Sequence, residues 1–185
     1  EDLDAKVDQL LGLLTEKVIL HGQTSVLIRL AQLLEKNRKK IKLRALINAS
    51  ETLHTEARLY LEKAFETQVF DYYGSNELPQ IAQECEFRNG LHVNNEWVYL
   101  EIVDDDGRTV APGKVGNIVV TFFENEIMPF IKYQTGDRGR FLENPCPCGR
   151  SLPRVYIQGR KGSSFELPNG KTGYFFELAR LILKL

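Results

Sequence analysis

The sequence predicts an α/β fold in two parts: an open parallel α/β layer, then a small antiparallel β-rich unit of distorted-barrel character. Three observations predict it. Through about residue 79, short apolar runs alternate with amphipathic stretches of helical period, the pattern of strand–helix–strand crossovers. From about residue 80 to 160 the amphipathic stretches give way to short β-rich runs separated by turn signals. The composition, 43% hydrophobic and 26% charged over 185 residues, is that of a globular chain with volume for a sizeable core. Residues 161–173 are loop-like and lead into a final stretch of helical period.

Taken in order, residues 3–15 (LDAKVDQLLGLLT) carry apolar side chains at helical spacing. KVILHG is a short buried strand ending at Gly22. QTSVLIRLAQLLEKNRKK is an amphipathic helix with Thr24 or Ser25 as its cap. Its basic cluster, Lys36 to Lys40, is expected to offset exposed carbonyls at the helix end rather than to bind a partner. KLRALINAS is the second strand, and SETLHTEARLYLEKAFE the second helix, with Ser50 or Thr52 as cap and His54 on its surface. QVFDYY completes the layer as a third parallel strand. Beyond it, WVYLEIVD, GNIVVTFF, FIKYQ, GRFL and RVYIQG read as strands, and EFRNGL as a hairpin. Asp104-Asp105-Asp106-Gly107 is a tight hairpin turn rather than a calcium loop, because the ligand spacing of a helix–loop–helix site is absent. LPNGK is a turn, and GYFFELARLILKL begins a final helix.

Charge and hydropathy narrow the function classes. A net charge of −1 gives no electrostatic reason to expect nucleic acid or an anionic membrane as partner. No apolar run approaches the roughly 18 residues of a membrane span, and no signal-peptide pattern is present, so the cytoplasm is the default location. The chain begins with Glu1 rather than Met and is expected to be a piece of something longer. Its oligomeric state is not set by the sequence, with a homodimer left open.

Ligands of open parallel sheets collect beyond the carboxyl ends of the strands. The loops expected there are HGQTS, NASE and YYGSNE. NASE offers close backbone approach at Ala49 and Ser50 and a carboxylate at Glu51. The stretch from Asp71 to Asn76 offers the flat rings of Tyr72 and Tyr73, the permissive backbone of Gly74, and small polar groups at Ser75 and Asn76. Glu77 adds an oxygen donor for a hard cation such as Mg²⁺. A base, a phosphate and a metal together describe a nucleotide. The plainer alternative is that Tyr72 faces the core and Glu77 is a surface cap. His21, at a strand end, is a candidate for lining an acyl pocket. YQTGD forms a second aromatic–glycine–acid turn.

Three motifs in order, YYGSNE, then GNIVVTFF with MPFIKYQTGD, then CPCGRSLPRVYIQGRKGSSF, resemble the adenylate-forming superfamily of acyl and aryl ligases. More narrowly they resemble its phenylacetate–coenzyme A ligase-like branch, over about residues 17–180. The resemblance implies an ATP-dependent enzyme that converts a small carboxylic acid to its adenylate, releases pyrophosphate, and transfers the acyl group to coenzyme A. It implies that Tyr73 and Gly74 line the adenine and acyl pocket, with Asp71, Tyr72, Ser75 and Asn76 beside them. Ala49, Ser50 and Glu51 would flank adenine, and Glu77 would have the catalytic role of binding Mg²⁺. Asp137 would take the ribose hydroxyls, and Arg160 would meet ribose and phosphate near the hinge. The chain departs from the family pattern at Asn76, where Thr is usual, and at Gln134, where Arg is common. Lys161-Gly162-Ser163-Ser164 replaces the usual hinge acid. Neither the Ser/Thr/Gly-rich pyrophosphate loop nor the catalytic-lysine domain lies within these residues, so the chain is not expected to complete adenylation by itself. Two alternatives are a non-catalytic nucleotide-binding module and a zinc-stabilised interaction domain.

The cysteines point elsewhere. Three is an odd count and too few for a disulfide scaffold. Cys146 and Cys148, one residue apart on an extended segment, face one side, and Gly149 lets the backbone fold behind them. With Cys85 and His92, across the EFRNGL hairpin, they would make a Cys₃His set, the composition of a closed structural Zn²⁺ site. The alternative is three reduced thiols packed as small hydrophobes, with His92 on the surface.

Overall fold

The computed structural model describes residues 9, 12–124, 126–162, 164–166 and 172–174. The chain forms two compact units, divided between Tyr73 and Gly74.

The first unit holds three strands, β1 (Ile19–Gly22), β2 (Ala45–Asn48) and β3 (Val69–Tyr73), and two helices, α1 (Thr24–Lys36) and α2 (Thr55–Phe65). β2 pairs in parallel with β1 on one side and β3 on the other. Parallel neighbours need a crossover, and α1 and α2 supply the two. The helices pack on each other, and Leu27, Ala31 and Leu34 of α1 share a buried cluster with Leu61 and Phe65 of α2 and with Leu46 and Val69 of the sheet. Each of the leucine, valine and phenylalanine side chains contributes about 1.5–3 kcal/mol by leaving water.

The caps differ from expectation. Gln23 and His54 occupy the cap positions of α1 and α2, and neither side chain bonds the helix. Ser50 and Thr52 precede α2 by several residues. α1 ends in a left-handed turn at Arg38, φ 53°, with the Lys39 N–H donating to the Leu34 carbonyl at 2.9 Å. Most of the basic cluster therefore lies past the helix end. Most of the helix expected over 3–15 falls outside the described residues.

The second unit is an antiparallel sheet of order β4-β5-β9-β8-β7-β6. Its strands are β4 (Ala82–Glu84), β5 (Leu91–Val93), β6 (Val98–Val103), β7 (Gly116–Phe122), β8 (Tyr133–Leu142) and β9 (Arg154–Arg160). The sheet is open, not the distorted barrel expected: β6 pairs with β7 and does not return to β4. A barrel requires that closing ladder. GRFL and the last two residues of FIKYQ, expected as separate strands, belong to the single ten-residue β8. Gly136, at φ 79°, and a register shift between Arg138 and Gly139 let the polar YQTGD run through the strand instead of turning it. The acidic Asp104–Gly107 segment is a turn. The Asp104 carboxylate accepts the N–H groups of Asp106 (3.0 Å) and Arg108 (2.8 Å), an Asx-type closure. A short hairpin, β10 (Ser164–Glu166) with β11 (Thr172–Tyr174), follows. LPNGK and all of the expected final helix beyond Tyr174 fall outside the described residues; Gly173 and Tyr174 are strand.

Candidate functional site

In the first unit, the carboxyl ends of the three parallel strands carry a polar network centred on Asn48, a residue fully buried at the last position of β2. Its amide accepts from the Thr24 hydroxyl at 2.5 Å and donates at 2.8 Å to both the Glu51 carbonyl and Asp71 Oδ1. Asp71 Oδ1 also accepts the Tyr72 N–H at 3.0 Å. Glu51 turns back on α1: its carboxylate accepts the Ser25 N–H at 2.7 Å and the Ser25 hydroxyl at 2.8 Å. An anion from another loop thus caps a helix whose own cap residue does not. Ser50 takes a left-handed backbone, φ 67°, and the Ala49 N–H donates to the Gly22 carbonyl at 3.0 Å. The rings of His21 and Tyr72 meet edge to face at 5.8 Å. Tyr72 and Tyr73 are half-buried at the end of β3. Sequence reasoning passed over Asn48 and treated Thr24 only as a cap. The available signal was a short amide residue closing an otherwise apolar strand.

In the second unit, Ser75 to Leu78 form a turn closed in both directions. The Ser75 N–H donates to the Leu78 carbonyl at 3.0 Å, and the Leu78 N–H to the Ser75 hydroxyl at 3.1 Å. Gly74 leads into that turn, and Asn76 and Glu77 stand exposed on it. The backbone N–H of Glu77 holds its carboxyl below the usual carboxylate range, assisted by the Ser75 hydroxyl and by the charge of Arg160. Arg160 and Asp137 lie opposite each other in the β8–β9 ladder, with Arg160 Nε 3.4 Å from Asp137 Oδ1. Arg160 therefore lies within electrostatic reach of both Glu77 and Asp137. Past Arg160, the Lys161 N–H donates to the Gly136 carbonyl at 2.7 Å and its ammonium reaches Asp105 at 2.6 Å. That ammonium, with Asn117, holds the Asp105 carboxyl low.

Cys85, His92, Cys146 and Cys148 also converge, in the same unit. Their four ligand atoms lie within 4.8 Å of one another. Cys85 Sγ is 3.6 Å from Cys146 Sγ, and Cys148 Sγ is 3.4 Å from His92 Nε2. His92 is 2% exposed, which removes the reading of a surface histidine, and its Nδ1 is buried without a hydrogen-bond partner. Burial pushes the imidazole pKa down, and the charges of Arg150 and Arg154 add to that. Burial pushes the Cys85 thiol up, whereas the Cys148 N–H pulls Cys146 down. Arg154, 4% exposed, was not anticipated; its guanidinium donates to the carbonyls of Asn89 and Asn144, joining the β4–β5 loop to the β8–β9 connection.

The fold is that of acyl-activating ligases. A 2-hydroxyisobutyryl-CoA ligase in complex with 2-HIB-AMP and CoA superposes with a TM-score of 0.80 at 23% identity, over 98% of this chain and 44% of that one. An anthranilate CoA ligase in complex with anthranoyl-AMP gives a TM-score of 0.68 at 17% identity, over 95% of this chain and 35% of its own. No protein-family model matches the chain. In sequence it is 35% identical to the phenylacetate-coenzyme A ligase of Thermus thermophilus, over 55% of this chain and 24% of the relative. It is 30% identical to that of Pseudomonas putida, over 62% and 27%. In sequence the chain is thus similar to phenylacetate-coenzyme A ligases over about half of its length, and in fold to acyl-activating ligases. It spans about a quarter of the length of the curated relatives it matches. Among the described residues, no helix is long and apolar enough to cross a membrane.

Proposed function

We propose that the chain carries adenosine-binding residues of an ATP-dependent, AMP-forming acid–thiol ligase, which activates an aryl or acyl carboxylate as its adenylate and passes it to coenzyme A. The observation that carries this reading is the Asp137–Arg160 pair, with Glu77 within electrostatic reach of Arg160. The sequence relationship to phenylacetate-coenzyme A ligases supports the same reading.

The donor set suits a nucleotide. Asp137 is a carboxylate in a strand, its side chain 15% exposed, and a carboxylate accepts two hydroxyl donors such as a ribose presents. Arg160, 71% exposed beside it, offers a cation to ribose and phosphate. Glu77, its carboxyl held below the usual range, exposes hard oxygen donors, which fits Mg²⁺. When bound, that ion would neutralise phosphate charge; the protein's part is to hold the reacting groups in line. In the first unit, Ala49, Ser50, Tyr72 and Tyr73 are assigned to the adenine and acyl groups. Glu51 and Asp71 are assigned to positioning, since their carboxylates already hold Ser25 and Asn48. Gly74, Ser75 and Asn76 shape the loop that presents Glu77.

Calorimetric titration of AMP, and of ATP with Mg²⁺, into the chain tests the reading. A saturable binding heat is expected. Asp137→Asn and Arg160→Ala should each weaken it about tenfold or more, the worth of one charge-assisted hydrogen bond. No binding by the folded wild-type chain would overturn the proposal. Pyrophosphate release with a panel of aryl acids, measured on a longer protein containing this chain, reads the substrate class.

A further inference from the structure

We propose that Cys85, His92, Cys146 and Cys148 form a closed structural zinc centre that fastens the β4–β5 loop to the β8–β9 connection. The inference is independent of the ligase reading. Zn–S bonds of about 2.3 Å and Zn–N bonds of about 2.0 Å in a tetrahedron imply ligand separations of about 3.8 Å between sulfurs and about 3.5 Å between sulfur and nitrogen. The observed separations are 3.6 Å and 3.4 Å. Four soft or borderline donors, three of them buried and the fourth half-buried, leave no open position for a substrate, so the site is structural.

The backbone around the sulfurs is built alike on both sides. The Arg88 N–H donates to the Cys85 carbonyl at 2.9 Å, and the Gly149 N–H to the Cys146 carbonyl at 3.1 Å. Both closing residues are left-handed, Arg88 at φ 50° and Gly149 at φ 78°. In each turn the residue two past the cysteine, Phe87 or Cys148, directs its backbone N–H at the sulfur. Two independent segments with the same turn facing one point are more than a chance meeting of reduced thiols.

Charge supports the same occupant. Three thiolates on a divalent ion leave one net negative charge. The buried guanidinium of Arg154 acts on both Cys146 and His92, and Arg150 acts on His92 as well. Arg154 also bonds the two loops that carry the ligands. With Nε2 turned toward Cys148, His92 would keep its proton on Nδ1, the buried atom without a hydrogen-bond partner.

The test is elemental analysis of the chain purified without chelator, followed by exchange into Co²⁺. About one zinc per chain is expected, and the cobalt form should show the visible bands of a tetrahedral, thiolate-rich site. Thiol titration should count three reactive groups only after chelation. Cys148→Ala should lose the metal, while His92→Cys should keep it and shift the cobalt bands. If the alanine variant does not fold, the wild-type cobalt spectrum still decides. Folded chain with well under half an equivalent of zinc and no tetrahedral cobalt spectrum overturns the proposal. So does a mass two hydrogens light, which would mean a Cys85–Cys146 disulfide instead.

Discussion

Replacing Asn48 with aspartate tests the network at the strand ends without changing side-chain shape. The amide donates at 2.8 Å to Asp71 Oδ1 and to the Glu51 carbonyl, and both bonds vanish in N48D. The bond from the Thr24 hydroxyl is kept. A second carboxylate then faces Asp71 at a site with no exposed surface. Two charges about 4 Å apart at an effective dielectric of about 20 repel by about 4 kcal/mol, and the abandoned Glu51 carbonyl adds about 1 kcal/mol. Near neutral pH the variant should therefore lose about 4–5 kcal/mol. The sign with pH follows from the shared proton: repulsion raises a carboxyl pKa in the folded variant above its unfolded value. The folded state then binds more protons, so the penalty grows as pH rises from about 4 and levels above the folded pKa. Urea unfolding of wild type and N48D at pH 4.5 and 7.5, followed by circular dichroism, reads it. The difference between the proteins should shrink to about 1–2 kcal/mol at the lower pH. N48A should lose about 2–3 kcal/mol at both. An equal loss for N48D at the two pH values would refute the reasoning.

Other perturbations test the second unit. Gly116 lies opposite Gly139 in the β7–β8 ladder, and a Cβ on it would stand 2.5 Å from the Val103 carbonyl oxygen and 2.9 Å from Ile102 Cγ2. Backbone cannot step aside cheaply, so Gly116→Ala should cost about 1–3 kcal/mol and lower the melting temperature by about 3–10 °C in calorimetry; an unchanged transition would show that the strands relax freely. Ser75→Ala removes the hydroxyl that helps hold the Glu77 carboxyl low. The Glu77 side-chain titration followed by NMR should move up toward the ordinary carboxylate value, and no movement would assign the whole effect to backbone N–H and Arg160.

Much of the fold was legible because its signals are local. The three parallel strands and both crossover helices follow from apolar period and length, and β6, β7 and β9 from alternation. The helix starts were not legible. Ser25 and Thr24 looked like caps, yet the anion at α1 comes from Glu51, 26 residues on, a pairing that only the tertiary fold creates. YQTGD looked like a turn because Gly136 and Asp137 are turn formers; the bulge against β9 keeps it in strand, which puts Asp137 across from Arg160. The clustering of Cys85, His92, Cys146 and Cys148 was legible from residue chemistry alone. Arg154 was missed because a charged residue beginning a strand gives no hint that it is buried.

The carboxylate seated on the start of α1 has a wider consequence. Helix beginnings attract phosphates, and this one is already filled by a tethered tenant. A free anion arriving there must displace a carboxylate that the folded chain, 26 residues on, already holds against the Ser25 N–H and hydroxyl. The chain thus screens that spot against stray inorganic ions.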